Sequence, residues 1–178
     1  MGMSKKYLHV HRLRRVYVWE LPVRIYHWLN AAVIVALVAT GFLIGSPPAL
    51  ISNDEAANRF WMGWVRFIHF IAAYIFFFNF LFRLYWGFVG NKYANWKQFI
   101  PTSKRFFKEM WHVFKIDILM MKGKEHMSVG HNAMAGIIYF FTFIAFLVQC
   151  LTGFGLYASM SDWWLPQLFA WVPYLFGG

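Results

Sequence analysis

Three long apolar stretches dominate the chain, and each is long enough to cross a lipid bilayer. They cover residues 22–45, 64–89 and 132–157. As α-helices rising 1.5 Å per residue, they would each span the roughly 30 Å hydrocarbon core. Pro22 suits a first helical turn, where the N–H that it lacks has no partner in any case. The pattern predicts an all-α integral membrane protein, a transmembrane helix bundle that forms a single domain over residues 1–178.

The composition supports a membrane environment. Apolar residues make up 60% of the 178 positions and charged residues only 13%, whereas a soluble domain has roughly 45–50% and 25%. A soluble fold of this size would struggle to bury 21 Phe, 10 Trp and 9 Tyr. Lipid is a favourable solvent for these side chains, so the bilayer removes the difficulty.

The distribution of positive charge indicates a membrane topology. The net charge is +10, and fourteen of the 17 Lys and Arg fall within residues 5–24 and 92–124. Residues 46–58 and 158–178 contain none. Since cytoplasmic loops carry the excess of Lys and Arg, we expect a multi-pass protein of the bacterial inner membrane with its N-terminus in the cytoplasm. The basic charge therefore predicts lipid contact and orientation, and no nucleic-acid partner.

The basic loop contains a further helical pattern. Across residues 103–121, apolar side chains recur at i, i+3 and i+4, among them Phe107, Trp111, Phe114 and Ile118. The pattern predicts a cytoplasmic amphipathic helix on the membrane surface, and it fits a helix packed on a partner subunit equally well. The apolar C-terminal stretch is broken by Pro166 and Pro173, which favours an interfacial segment on the outside.

Seven histidines provide the candidate chemistry, whereas the lone Cys150 excludes an intrachain disulfide. Three of the histidines, His27, His69 and His131, lie in or at the edge of an apolar stretch. An ionisable group there is costly and indicates a functional site. The plain alternative is a neutral histidine that is hydrogen-bonded to a neighbouring helix. The remaining four lie in polar, basic stretches, where we expect them to be solvated: His9, His11, His112 and His126.

His27 and His69 share a local pattern, RIYHW (24–28) and RFIHF (66–70). Arg24 and Arg66 each precede the histidine by three residues and lie on the same helix face. Because the two spans run in opposite directions, each arginine lies on the watery side of its histidine. A haem would use both groups, the imidazole on iron and the guanidinium on a propionate. Snorkelling explains the depth of the arginines but not the repeated spacing.

The two histidines lie at different depths. His27 precedes Gly45, at the outside end of the first span, by 18 residues, whereas His69 lies one or two turns from the outside end of the second. They are on the order of 20 Å apart along the membrane normal, which predicts two separate metal sites. His131 begins the third span on the cytoplasmic side. It could be a ligand, a helix-entry residue or a contact for a quinone head group.

At these residues the sequence resembles the Ni/Fe-hydrogenase b-type cytochrome subunit family. The resemblance covers most of the chain from about Val16. The segments that carry it are ELPVRIYHWLN, ATGFLIGSPP, MGWVRFIHF, FRLYWGFVGNKY, GHNAMAG and LTGFGLY.

The resemblance implies a protein of four spans that binds two haem b groups. His69 would be an axial ligand of the outer haem and His27 of the inner one, with Asn132 as a quinone neighbour. Electrons would come from the small subunit of a periplasmic Ni/Fe hydrogenase, which also has a large subunit. They would pass to menaquinone or ubiquinone. The chain would be a non-catalytic electron-transfer subunit of the complex.

One departure from the family pattern concerns the second ligand of each haem. In the family these ligands are two histidines on a fourth span, and the sequence stops before such a span. We therefore expect the sequence to continue beyond residue 178 in the whole protein.

Two alternatives remain at this point. A similar cytochrome could serve formate dehydrogenase or another respiratory reductase. A haem-free membrane anchor would use His27 and His69 as interhelical hydrogen-bonding groups. A transporter is disfavoured because the spans contain almost no acidic residue and no paired half-helices.

Overall fold

The computed structural model describes residues 16–47, 60–121 and 130–175. The N-terminal basic stretch, most of the loop 46–58, and His9, His11 and His126 lie outside the described residues. Within them all regular structure is helical, as predicted. The helices are α1 (Leu21–Gly45), α2 (Trp61–Val89), α3 (Lys104–Val113), α4 (Ala133–Ala158), α5 (Trp164–Gln167) and α6 (Val172–Leu175).

The helices α1, α2 and α4 are long and apolar enough to cross a membrane. Their bounds agree with the predicted spans to within three residues. In each of these helices, no more than 28% of the most apolar 18-residue stretch is buried inside the protein. Apolar surface left in water is unfavourable by roughly 25 cal/mol per Å², so these outward faces require lipid or other protein around them.

The core lies where the three long helices meet. Val33 of α1, Phe76 and Phe80 of α2, and Cys150 of α4 are all buried in one cluster. Phe76 meets Phe146 of α4 edge to face, with 5.0 Å between the ring centroids. Large aromatic side chains therefore hold α2 against α4, while α1 packs along the length of α2.

One end of the bundle is closed by polar contacts between the start of α1 and the end of α2. We call it the basic end, because the lysine-rich segment 92–115 lies there. The Glu20 carboxylate accepts hydrogen bonds from Trp86 Nε1 and from the Asn91 backbone N–H, both at 3.0 Å. The Asn91 side chain in turn donates to the carbonyl of Val18 at 3.1 Å. These bonds fix how α1 enters the bundle beside α2.

After α2 the chain folds back across the basic end through a short 3₁₀ turn, Trp96–Gln98. The Trp96 indole N–H donates to the carbonyl of Leu84 at 3.2 Å. Its ring lies directly over Gly87, where any side chain would collide with it. Phe99 follows and is almost completely buried. The fold thereby brings two aromatic side chains of a connecting segment to the ends of the long helices.

The predicted amphipathic helix is present as α3, which begins at a Ser103 cap and continues as a π-helical turn, Phe114–Ile118. α3 packs on α4 at Gly136, where an added Cβ would lie 3.3 Å from the ring of Phe106. Trp111, on the outward side, is 53% exposed. This exposed surface is compatible with both predicted arrangements, a helix that lies on the membrane surface and a helix that packs on a partner subunit.

The C-terminal segment folds back on α4 at the opposite end of the bundle. Phe169 stacks on Phe154 with 5.3 Å between centroids, and Val172 packs against Gly155. The Gln167 amide donates to the carbonyl of Ala158 at 2.8 Å. The segment is thus two short helices at the end of a span, in agreement with the proline-broken pattern.

Candidate functional site

A cavity of about 590 Å³ lies at the basic end, between α1, α2, the 96–99 segment and the start of α4. Its size is typical of small-molecule and cofactor sites, which measure roughly 300–1,000 Å³. Its polar wall comprises Arg24, His27, Asn30, Arg83, His131 and Thr142. Its aromatic wall includes Trp19, Tyr26, Trp28, Phe99, Tyr139 and Phe143.

The predicted pair Arg24 and His27 lies on the cavity wall, as expected for residues on one helix face. The Arg24 guanidinium donates from Nε to the carbonyl of Trp19 at 3.0 Å. His27 lies edge to face with Trp28, with 5.7 Å between ring centroids. Both side chains are substantially exposed, so each can meet a molecule that enters the cavity.

Arg83 is the most unusual group in the wall, and sequence reasoning missed it. Its side chain is only 4% exposed. Nη2 donates to the Ala94 carbonyl at 3.2 Å, whereas Nη1 has no hydrogen-bond partner among the described residues. Four rings surround the guanidinium with centroids 5.3–5.9 Å away: Tyr26, Trp96, Phe99 and Phe143. The sequence signal was an arginine inside an apolar span, which by itself indicates function.

Asn30 was also missed. It follows His27 by three residues on α1, is 8% exposed and lines the cavity. Its Oδ1 is buried without a hydrogen-bond partner in the described part of the chain. Buried polar atoms without partners are rare in folded proteins and require an explanation. Asn30 and Arg83 therefore bring hydrogen-bonding groups without partners among the described residues to the wall of this cavity.

His131 also reaches the cavity, from just before α4. Its ring lies edge-on to Trp19 and Tyr139, with centroids 4.5 and 4.4 Å away. Burial, aided by the positive charge of Arg83, lowers the pKa of His131 to about 4. The imidazole is therefore neutral at physiological pH, with one nitrogen that donates and one that accepts a hydrogen bond.

The structure places Asn132 differently from the other predicted residues. Asn132 is the N-cap of α4, and its Oδ1 accepts a hydrogen bond from the Ala135 N–H at 2.7 Å. It is not part of the cavity wall. Helix capping alone explains an asparagine at this position.

His69 lies at the opposite end of the bundle, against α1. Its Nδ1 is 2.8 Å from the Thr40 hydroxyl oxygen, which is also 2.6 Å from the carbonyl oxygen of Ala36. The hydroxyl has one proton and donates it to that carbonyl, so it accepts from Nδ1–H of His69. This tautomer leaves the lone pair on Nε2 of His69 free to bind another group.

Thr40 follows His27 by thirteen residues on α1. At 1.5 Å per residue, His69 is therefore about 20 Å along the bundle from His27. Arg66 is exposed one turn before His69 on α2. The described residues thus form two separate histidine sites, one near each end of the bundle.

Residues 18–176 match the sequence model of the prokaryotic cytochrome b561 family. The chain belongs to this family. A cytochrome of b type carries haem b, so the two histidine sites lie in a membrane cytochrome.

Individual relatives agree with this cytochrome assignment. A protein of Cupriavidus necator described as a probable Ni/Fe-hydrogenase B-type cytochrome subunit is 39% identical over 175 residues, 93% of this chain and 68% of the relative. A Bradyrhizobium diazoefficiens protein of the same description is 42% identical over 163 residues, 88% of this chain and 64% of the relative. An Escherichia coli K12 protein described as a probable Ni/Fe-hydrogenase 1 B-type cytochrome subunit is 35% identical over 161 residues, which are 90% of this chain and 68% of the relative. The resemblance found in the sequence is confirmed.

Proposed function

We propose that the chain carries electrons from a periplasmic Ni/Fe hydrogenase to the quinone pool through two haem b groups, one at each end of the bundle. The observation that carries the proposal is the pair of histidine sites about 20 Å apart along the helices. Electron transfer across a membrane needs carriers at different depths, and a single site at one face would not provide them.

The residues at the opposite end fit a haem iron. A metal-ligating histidine usually donates its second ring N–H to a protein oxygen, which fixes its tautomer and orientation. Thr40 accepts such a bond from His69, and Nε2 remains available. An added Cβ on Gly41 would come within 3.7 Å of the His69 ring, so a small residue stands beside the imidazole. We infer that His69 binds the outer haem and that Arg66 meets a propionate.

The cavity at the basic end fits the second haem. It combines the His27 imidazole, an aromatic wall and a guanidinium, Arg24, at the level of the first turn of α1. When bound there, haem b supplies a one-electron carrier whose potential depends on axial ligation, burial and hydrogen bonding. We infer that His27 binds the iron and that Arg24 meets a propionate near the interface.

The quinone would bind beside the same cavity. His131 is neutral and held by aromatic rings, so it can donate a hydrogen bond to a quinone carbonyl without a net charge. Asn132 has an amide N–H₂ besides its capping oxygen. The proposal assigns both residues to the surroundings of a menaquinone or ubiquinone head group, with His131 as the direct contact.

The orientation in the membrane follows from charge. The basic end carries exposed Lys92, Lys97, Lys104 and Lys108, whereas the described residues at the opposite end include few cations. We therefore propose that the basic end faces the cytoplasm of a bacterial inner membrane. The opposite end, with His69, would then face the periplasm and the small and large subunits of the hydrogenase, the partner that the names of the relatives suggest.

Reduction by hydrogen gas tests this function. In membranes that contain the chain and its partners, H₂ should reduce the haems, and an added quinone should reoxidise them. Both changes are followed in the haem absorption bands. His69→Ala should abolish both responses, since the outer haem is the proposed entry point. Haem that stays oxidised under H₂ but is reduced by formate would contradict the hydrogenase assignment and support another reductase as the partner.

A further inference from the structure

We propose that Arg83 supplies the buried positive charge that binds a propionate carboxylate of the haem in the cavity at the basic end. The inference rests on the proposed function, because it requires a haem beside His27. It adds a residue of α2 to a site whose predicted ligands come from α1 and the start of α4.

The first argument is electrostatic. Arg83 is 4% exposed, and a guanidinium stays protonated in proteins. A buried charge without a partner is strongly unfavourable, and no carboxylate of the described residues pairs with Arg83. The surrounding rings offer cation–π attraction, but that attraction does not neutralise the charge. A negatively charged ligand would.

The second argument concerns the position of the free donor. Nη2 is already bonded to the Ala94 carbonyl, which holds the guanidinium plane against the segment after α2. Nη1 is buried without a partner, and Arg83 forms part of the cavity wall. The residue that carries the donor without a partner therefore lines the space for a ligand.

A carboxylate fits this donor better than a quinone carbonyl does. Arginine and carboxylate form charge-assisted hydrogen bonds, which are roughly twice as strong as neutral ones. A neutral carbonyl would accept the hydrogen bond but would leave the buried positive charge uncompensated. Haem has two propionates, and the cavity wall contains two guanidiniums, Arg24 near the interface and Arg83 in the interior.

The test is a redox titration of the haems in the solubilised protein. A cation near haem stabilises the reduced form, which carries one more negative charge. Arg83→Met should therefore lower the midpoint potential of one haem and decrease its retention during purification. Arg83→Lys should restore most of both. Lys97→Gln is the matched control, since it removes an exposed cation from the same end, and it should leave both potentials unchanged.

Reconstitution with haem dimethyl ester identifies the ligand group. Esterification removes the propionate charge, so Arg83→Met should decrease the retention of native haem and should cause no further decrease for the esterified haem. An equal decrease in retention with native and esterified haem would overturn the proposal. So would unchanged haem potentials combined with a raised KM for quinone, which would assign Arg83 to the quinone. Loss of haem from the wild-type chain would instead contradict the proposed function itself.

Discussion

The Thr40 hydroxyl oxygen lies 2.8 Å from Nδ1 of His69 and joins α1 to α2 at the end of the bundle opposite the basic end. The same hydroxyl is 2.6 Å from the carbonyl oxygen of Ala36. Together the two contacts determine which ring nitrogen of His69 carries the proton. The two contacts therefore orient the His69 imidazole and leave the lone pair of its Nε2 available to another group.

Replacement of Thr40 by valine should weaken haem binding at His69. The isosteric change removes the oxygen that accepts from Nδ1–H, and loss of such supporting bonds typically costs about 10–100-fold in metal affinity or activity. We expect haem to dissociate from this site at lower detergent and imidazole concentrations, as measured by absorption spectra. Thr40→Ser should restore binding because it keeps the hydroxyl.

Thr152→Val is the matched control for this prediction. Thr152 makes the same type of bond to its own helix, from its hydroxyl to the Val148 carbonyl at 2.8 Å, without a histidine contact. It should leave the haem content unchanged. Equal haem loss in Thr40→Val and Thr152→Val would show that the effect comes from the helix backbone bond and not from His69.

Glu20→Ala should destabilise the bundle at the basic end. The Glu20 carboxylate accepts two hydrogen bonds, from Trp86 and from Asn91, and their loss leaves both donors without their acceptor. The expected cost is about 1–3 kcal/mol in the free energy of unfolding, measured by denaturation in detergent. Replacement of the exposed Asp117 by alanine should change it by less than about 0.5 kcal/mol; an equal loss in both variants would refute the role of Glu20.

His131 should make stability depend on pH. A histidine titrates near pH 6.5 in an unfolded chain, whereas folded His131 has a pKa of about 4. Between these values the unfolded chain binds more protons, so stability is lost as the pH falls through this window. Facing His131 around the cavity are Arg83, Tyr139, Arg24 and His27, and no carboxylate of that wall compensates an added proton.

Replacement of His131 by phenylalanine should therefore flatten this dependence. On acidification from about pH 7 to about pH 5, the melting temperature of the wild type should fall more than that of the variant. The comparison removes the contribution of His27, which both proteins contain. Parallel curves would show that His131 is already protonated or is solvated in the folded protein.

The fold was predictable from the sequence because bilayer thickness sets the length of a span. The predicted ends of the three spans lie within three residues of α1, α2 and α4. The return of the 96–99 segment across the basic end was not predictable. It depends on Trp96 lying over Gly87, which is a contact between a loop and a helix and has no periodic signal.

The site was predictable only in part, because some of its contacts depend on local helix geometry and others on how the helices pack together. His27 and Arg24 share a helix face through their spacing alone, so their joint position on the cavity wall followed from local geometry. The Thr40–His69 contact depends on the axial register of α1 against α2, which sequence periodicity does not determine. Arg83 was recognisable in principle as a charge within an apolar span. The sequence does not show that its Nη1 lacks a hydrogen-bond partner among the described residues.

The most direct test of the central claim is the haem content of the purified chain and of its His27→Ala and His69→Ala variants, measured by the pyridine hemochrome assay. We predict two b-type haems in the wild type, one in each single variant, and none in the double variant. The haem that remains in each single variant would also show that the bundle is folded. Wild-type haem content in both single variants, or a wild type without haem, would contradict the assignment of His27 and His69 to two haems.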